Sequence, residues 1–208
     1  MALKRTADAA TLHQVAPREY PRDLPGLLAQ LHDTDAATRR WAARDLGAHP
    51  QAAQALCARI AEEADHSVRA VLFSSITHLG GSEVVQAMIA LLRSEDPALR
   101  TGAIEVLGAL PDAVAPKIER LLADADGDVR IFTVNLLGEL RHPRVPQWLV
   151  QVLQHESAVN VVGAALEVLA EVGQPEALPA LQATRQRFAD DPYIRFAADL
   201  AIERIEAA

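Results

Sequence analysis

Apolar residues recur along this chain at the three- and four-residue spacing of a single helix face, broken at regular intervals by polar turns. In EDPALRTGAIEVLGAL (residues 95–110) the stripe is Leu99, Ala103, Leu107 and Leu110. The same outline returns in DADGDVRIFTVNLLGEL at 124–140 and in ADDPYIRFAADLAIERI at 189–205. Aligned on the arginine, the copies fall at Arg39, Arg69, Arg100, Arg130, a position held by Val162, and Arg195, in steps of 30, 31, 30, 32 and 33. Three places on stand Ala42, Leu72, Ala103, Thr133, Ala165 and Ala198; seven places on stand Leu46, Ile76, Leu107, Leu137, Leu169 and Ile202. One amphipathic helix is written six times.

A second apolar segment precedes each copy: 24–33, 51–64, 82–94, 112–124, 145–155 and 176–188. Pro25, Pro116, Pro146 and Pro179 sit near its starts, where a missing N–H costs little. Gly47, Gly80, Gly81 and Gly173, with Pro111 and Pro143, fall where the second helix should stop. The unit is therefore helix A, turn, helix B, loop. A helix pair buries one face only, so such units gain stability by stacking. The pattern predicts an all-α fold, a right-handed α-α superhelix (solenoid) of six helix pairs in one domain, 23–208. The repeats run about 23–48, 49–81, 82–111, 112–142, 143–173 and 174–206. Residues 1–22 lack the pattern and are expected to form an N-terminal arm or cap.

Four places before the reference arginine stand Asp35, Asp65, Asp96, Asp126 and Asp191; the fifth copy has Ala158, with Ser157 as the candidate substitute cap. An aspartate at the start of a helix caps free N–H groups, a contribution of roughly 1 kcal/mol. The rows Asp35–Arg39, Asp65–Arg69, Asp96–Arg100, Asp126–Arg130 and Asp191–Arg195 read as a structural ladder that fixes the pitch of the solenoid, its two rows pairing within or between neighbouring repeats. A row of arginines could instead bind anions, but each has its own aspartate to neutralise it.

The pattern D-x-x-[VL]-R-x-x-A-x-x-x-L-G, carried best by SVRAVLFSSITHLGG, ALRTGAIEVLGAL and DVRIFTVNLLGEL, resembles the short HEAT-like repeats of the phycocyanobilin lyase type over about residues 24–206. The resemblance implies interaction scaffolds first, with phycobilin lyases, deoxyhypusine hydroxylases and DNA-alkylation-repair solenoids as further branches. The hydroxylases place His–Glu directly after the arginine. Here those slots hold Arg40–Trp41, Ala70–Val71, Thr101–Gly102, Ile131–Phe132, Gly163–Ala164 and Phe196–Ala197, so no metal site is expected. The one adjacent His–Glu pair, His155–Glu156, lies at an A–B turn. Cys57 reads as a small residue of the apolar pattern.

In HEAT-like solenoids the B helices line the concave surface, which makes their outward positions the candidate binding face. There the chain offers Phe73, Ile104, Val134 and Leu166 as a central apolar row, with Ile131 and Thr101 beside it and Glu105, Asn135 and Glu167 flanking it. Two readings stand. The row is a groove for a partner helix or peptide, or it is buried between crowded B helices.

Composition narrows the partner. The formal net charge is −8, and the positive side chains are 18 Arg and two Lys (Lys4 and Lys117), without a basic tract. A nucleic-acid-binding solenoid is thereby disfavoured, although TRRWAAR at 38–44 is a local basic cluster; an apolar, basic protein segment is favoured. One cysteine, no signal-like apolar start and no long apolar run point to the cytoplasm, with no membrane partner. The function expected is a non-catalytic protein–protein interaction scaffold or adaptor without a cofactor. The alternative is a helical-repeat enzyme or enzyme accessory of the bilin-lyase or deoxyhypusine-hydroxylase type.

Overall fold

The computed structural model describes residues 21–207, so the expected arm at 1–22 lies almost wholly outside the described residues. Among these the fold is all-helical. Twelve α-helices pair in chain order: α1 (Leu24–Gln30) with α2 (Ala36–Leu46), α3 (Ala53–Glu62) with α4 (His66–Leu79), α5 (Gly81–Leu91) with α6 (Pro97–Gly108), α7 (Pro111–Leu122) with α8 (Gly127–Glu139), α9 (Val145–His155) with α10 (Val159–Val172), and α11 (Leu178–Arg187) with α12 (Pro192–Glu206). The second helices pack on one another in the order α2, α4, α6, α8, α10, α12, and α3, α5, α7, α9, α11 form a parallel layer. Between the layers lies one aliphatic core that includes Leu56, Leu72, Met88, Leu107, Ile118, Leu137 and Leu169, all fully buried. A single glycine separates α4 from α5: Gly80 and Gly81 take φ of +60° and +88°, values that a side chain would oppose.

The second helices begin where aspartate carboxylates accept free amides. Asp35 accepts from Thr38, Asp65 from Ser67 and Val68, Asp96 from Ala98, Asp126 from Asp128, and Asp191 from Tyr193 and Ile194. The arginines behave differently from the simple Asp–Arg pairing expected. Each of four reaches back six residues to a carbonyl of its own A–B turn: Arg39 to Asp33 at 2.9 Å, Arg69 to Glu63 at 2.7 Å, Arg100 to Ser94 at 2.7 Å and Arg130 to Asp124 at 2.8 Å. The rest of the guanidinium reaches forward into the next repeat. Arg39 makes a two-pronged pair with Glu63 (2.8 and 2.9 Å), Arg130 meets Glu156 at 2.7 Å, Arg69 meets Asp96 at 2.8 Å, and Arg100 lies over the Phe132 ring, 5.3 Å from its centroid. Only Arg69–Asp96 joins the two predicted rows, and it does so between repeats.

Two of the forward partners, Glu63 and Glu156, belong to a column that the sequence reading overlooked, six places before the reference position in the first five copies: Asp33, Glu63, Ser94, Asp124 and Glu156. Each also accepts the amide of the residue two places on, at 2.8 to 3.2 Å, and so closes the turn. In the fifth repeat Ser157 does not act as the cap. Glu156 accepts from the amides of Ser157 and Ala158 instead, and Val162, in the arginine slot, is fully buried. The carbonyl of Glu156, the one an arginine at 162 would have taken, is held by Arg187 of the sixth repeat at 2.9 Å, with Leu153 and Gln154 beside it at 2.7 and 3.1 Å. The clamp survives although its donor has moved to another helix.

Glu63 is the most enclosed of these acids, with its side chain 1% exposed beside Arg39 and Arg59. The hydrogen bonds from Arg39 hold its carboxyl well below the ordinary 4.5, at about 2, against the opposing effect of burial. A carboxyl whose folded value is depressed stabilises the fold fully above its unfolded value and loses that contribution as pH falls through the folded one. From these values the contribution at neutral pH is about 3 kcal/mol. Urea unfolding of the wild type and Glu63→Gln should therefore differ most above about pH 5, and the gap should close towards pH 2. In a second test, Arg187→Ala should lower stability by about 1–2 kcal/mol in urea unfolding, because it leaves three turn carbonyls unpaired.

Candidate functional site

The face formed by the second helices does not carry one continuous groove. Val134 and Leu166, the centre of the expected apolar row, are fully buried, and Ile104 and Ile131 are half-buried in the core margin. These positions crowd because successive second helices approach closely there. Asn135 is exposed, and exposed Glu167 accepts a hydrogen bond from the Tyr193 hydroxyl at 2.8 Å, which raises the Tyr193 pKa. Of the nine residues predicted to contact a partner, Phe73, Thr101 and Glu105 come together around one cleft.

That cleft lies between α4 and α6 and has a volume of about 640 Å³. Its shape follows from one glycine. The Phe73 ring from α4 rests on Gly102 of α6 so closely that a Cβ there would stand 2.5 Å from ring carbons. With no side chain at 102, the space beside α6 is left to the Phe73 ring. Thr77 is satisfied within its own helix by the Phe73 carbonyl at 2.8 Å, and Arg69 at one end is fixed by Asp96 and the Glu63 carbonyl. Asp96 is held below the ordinary carboxylate range by the Ala98 amide first and by Arg69 second. Around the ring, His66, Ser74, Thr101 and Glu105 line the cleft, exposed and without a side-chain hydrogen bond among the described residues.

A largely apolar cleft with a few unengaged polar groups around it is the candidate binding site. It can stack a flat or apolar guest on Phe73 and satisfy its donors at Glu105 and its acceptors at His66, Ser74 and Thr101. Elsewhere, among the described residues no three His, Cys, Asp or Glu side chains gather as metal ligands. Glu156 of the adjacent His–Glu pair is committed to Arg130, and His155 bonds the Gln151 carbonyl at 2.9 Å. Burial, and then the Glu83 charge, push the half-buried Cys57 thiol up to about 11, so it stays protonated at neutral pH. In the basic cluster at 38–44 the Arg44 guanidinium lies 5.8 Å from the centroid of the Trp41 ring. No described helix is long and apolar enough to cross a membrane.

The family model for HEAT repeats matches residues 53–121 and 114–203. Bilin biosynthesis protein PecE of Mastigocladus laminosus is 31% identical over 151 residues, 71% of this chain and 56% of that protein. Phycocyanobilin lyase subunit beta of Thermosynechococcus vestitus is 33% identical over 135 residues, 57% of this chain and 61% of that protein. The chain thus spans about three fifths of the length of these curated relatives. Among solved structures, the archaeal HEAT-like repeats protein of Thermococcus onnurineus NA1 is 19% identical, covering 87% of this chain and 86% of that one, with a TM-score of 0.44. The relatives' names favour the bilin-lyase-type alternative over the purely non-catalytic scaffold expected from the residues, and they lend no support to excluding an enzymatic role.

The cleft's dependence on Gly102 can be measured. Gly102→Leu should displace Phe73, fill the wall and lower stability by about 1–3 kcal/mol while helical circular dichroism is retained; a crystal structure of the variant would show the ring turned out.

Proposed function

The chain belongs to the HEAT-repeat family, and from that membership we propose that it acts as a subunit of a bilin-lyase-type assembly, holding a linear tetrapyrrole in the α4–α6 cleft. One observation carries this reading. A single aromatic ring, Phe73 on Gly102, is surrounded by four unengaged hydrogen-bonding side chains in a chain 31% identical to a bilin biosynthesis protein. A linear tetrapyrrole is a flat conjugated chain with pyrrole N–H donors along one edge and two propionate carboxylates. Phe73 supplies the stacking surface, Glu105 accepts from the N–H groups, and His66, Ser74 and Thr101 donate to carboxylates.

The chain's own work is to bind and orient. Its one thiol stays protonated, and none of the cleft side chains pairs a nucleophile with a base. The protein that receives the pigment, or a second subunit, supplies the remaining groups. With a net charge of −8 on this chain, a basic surface on that partner is favoured.

Titrating phycocyanobilin into the purified chain tests the reading. A saturable red shift and sharpening of the visible absorption is expected, weakened about tenfold or more in Phe73→Ala and in Glu105→Ala. A spectrum identical to free pigment, or equal binding by both variants, contradicts it.

A further inference from the structure

The first helices of the third and fourth repeats, α5 and α7, leave a groove of about 380 Å³ between them, in the layer opposite the second helices. Its walls are largely apolar, with half-buried Ile89, exposed Ala90 and buried Leu121. Ser82 and Gln86 of α5 flank it, and Arg93 joins its two sides by reaching Asp124 of the following repeat at 2.6 Å. From Ser82 to Arg93 the groove follows about 16 Å of chain at the helical rise, or about three turns.

Charge is sorted around this groove. Lys117 and Arg120 of α7 line it, both exposed, and neither makes a side-chain hydrogen bond or ion pair among the described residues. The neighbouring acids act elsewhere. Glu119, two places after Lys117, pairs with Arg144 of the next repeat, and the charge of Glu83 on α5 is felt by the Cys57 thiol of α3. Neither glutamate lines the groove. What remains along it is three cations and one acid, in a chain with 28 acidic and 20 basic residues. The local excess is opposite in sign to the whole.

We propose that the α5–α7 groove docks an acidic amphipathic helix of a partner protein, its apolar stripe on Ile89, Ala90 and Leu121 and its carboxylates at Lys117, Arg120 and Arg93. The apolar walls call for an apolar stripe, the free cations call for carboxylates, and the length matches a helix of a few turns. Nucleic-acid phosphates would also meet the cations, but no described aromatic ring lines the groove to stack a base. The proposal does not rest on the tetrapyrrole reading, because this groove and the α4–α6 cleft share no residue.

Isothermal titration calorimetry of the full chain is the test, with end-capped peptides about 14 residues long, the span of the groove with a turn to spare. One peptide carries Leu along one helical face and Glu on the flanks, a second scrambles that sequence, and a third has Lys in place of Glu. A short single-stranded DNA is the fourth probe. The patterned acidic peptide should bind saturably, and its Kd should rise about tenfold or more in the double variant Lys117→Glu, Arg120→Glu. The scrambled and lysine peptides should bind at least about tenfold more weakly to the wild type. Neither substituted side chain has a hydrogen-bond or ion-pair partner in the fold, so helical circular dichroism should be unchanged. Absence of saturable binding by the patterned peptide overturns the proposal. So does equal binding by the double variant or of the scrambled peptide, or tighter binding of the DNA, which would assign the cations to phosphate.

Discussion

At three of the five repeat boundaries one guanidinium group does two things. It takes a carbonyl six residues behind it, which ends the first helix's exit turn, and it reaches forward to an acid that holds the following turn. A turn between two helices leaves carbonyls and amides without helical partners, and these cost free energy when half-buried unless something pairs them. Arginine suits the task because its planar fork can donate in two directions while remaining charged. Short aliphatic and alanine side chains fill the core, but they are nearly featureless and would tolerate slippage between repeats. The polar clamp sets which turn faces which.

The rest of the molecule follows from where that clamp is present or replaced. In the fifth repeat the arginine slot is filled by Val162, and Arg187 of the next helix pair takes over the same carbonyl, which shows that the turn, rather than the arginine's place in sequence, is what the structure maintains. Where neighbouring second helices run close, as at Val134 and Leu166, the binding face closes into core. Where an aromatic ring meets a glycine, as Phe73 meets Gly102, a cleft stays open with unengaged polar groups around it. A second ring on a glycine, Tyr193 over Gly163, instead has its hydroxyl satisfied by Glu167.

Much of the fold was legible in the sequence because the period-31 stripe, the aspartate caps and the Pro and Gly punctuation all point to stacked helix pairs. The structure places second helices at all six arginine positions, Val162 included. Less of the site was legible. The offset that carries Phe73, Ile104, Val134 and Leu166 is one register position, yet its exposure varies along the stack because helix separation depends on the size of the residue opposite, which lies in another repeat. Gly102 is the informative letter, and it reads as an ordinary small residue until the facing ring is known. The forward partners Glu63 and Glu156 were present as a column six places before the arginine, and the nearer, more regular aspartates drew the pairing away from them. The bilin-lyase likeness came from the repeat motif and was carried further by the relatives, whereas the residues alone favoured a scaffold.

The clamp's energetic role is open to one direct measurement, a double-mutant cycle on Arg130 and Glu156, which lie 2.7 Å apart across a repeat boundary. With both side chains less than a fifth exposed, urea unfolding of wild type, Arg130→Ala, Glu156→Ala and the double variant should give a favourable coupling of about 1 kcal/mol or more. A coupling within about 0.3 kcal/mol of zero would contradict the view that this pair fixes the register of the stack.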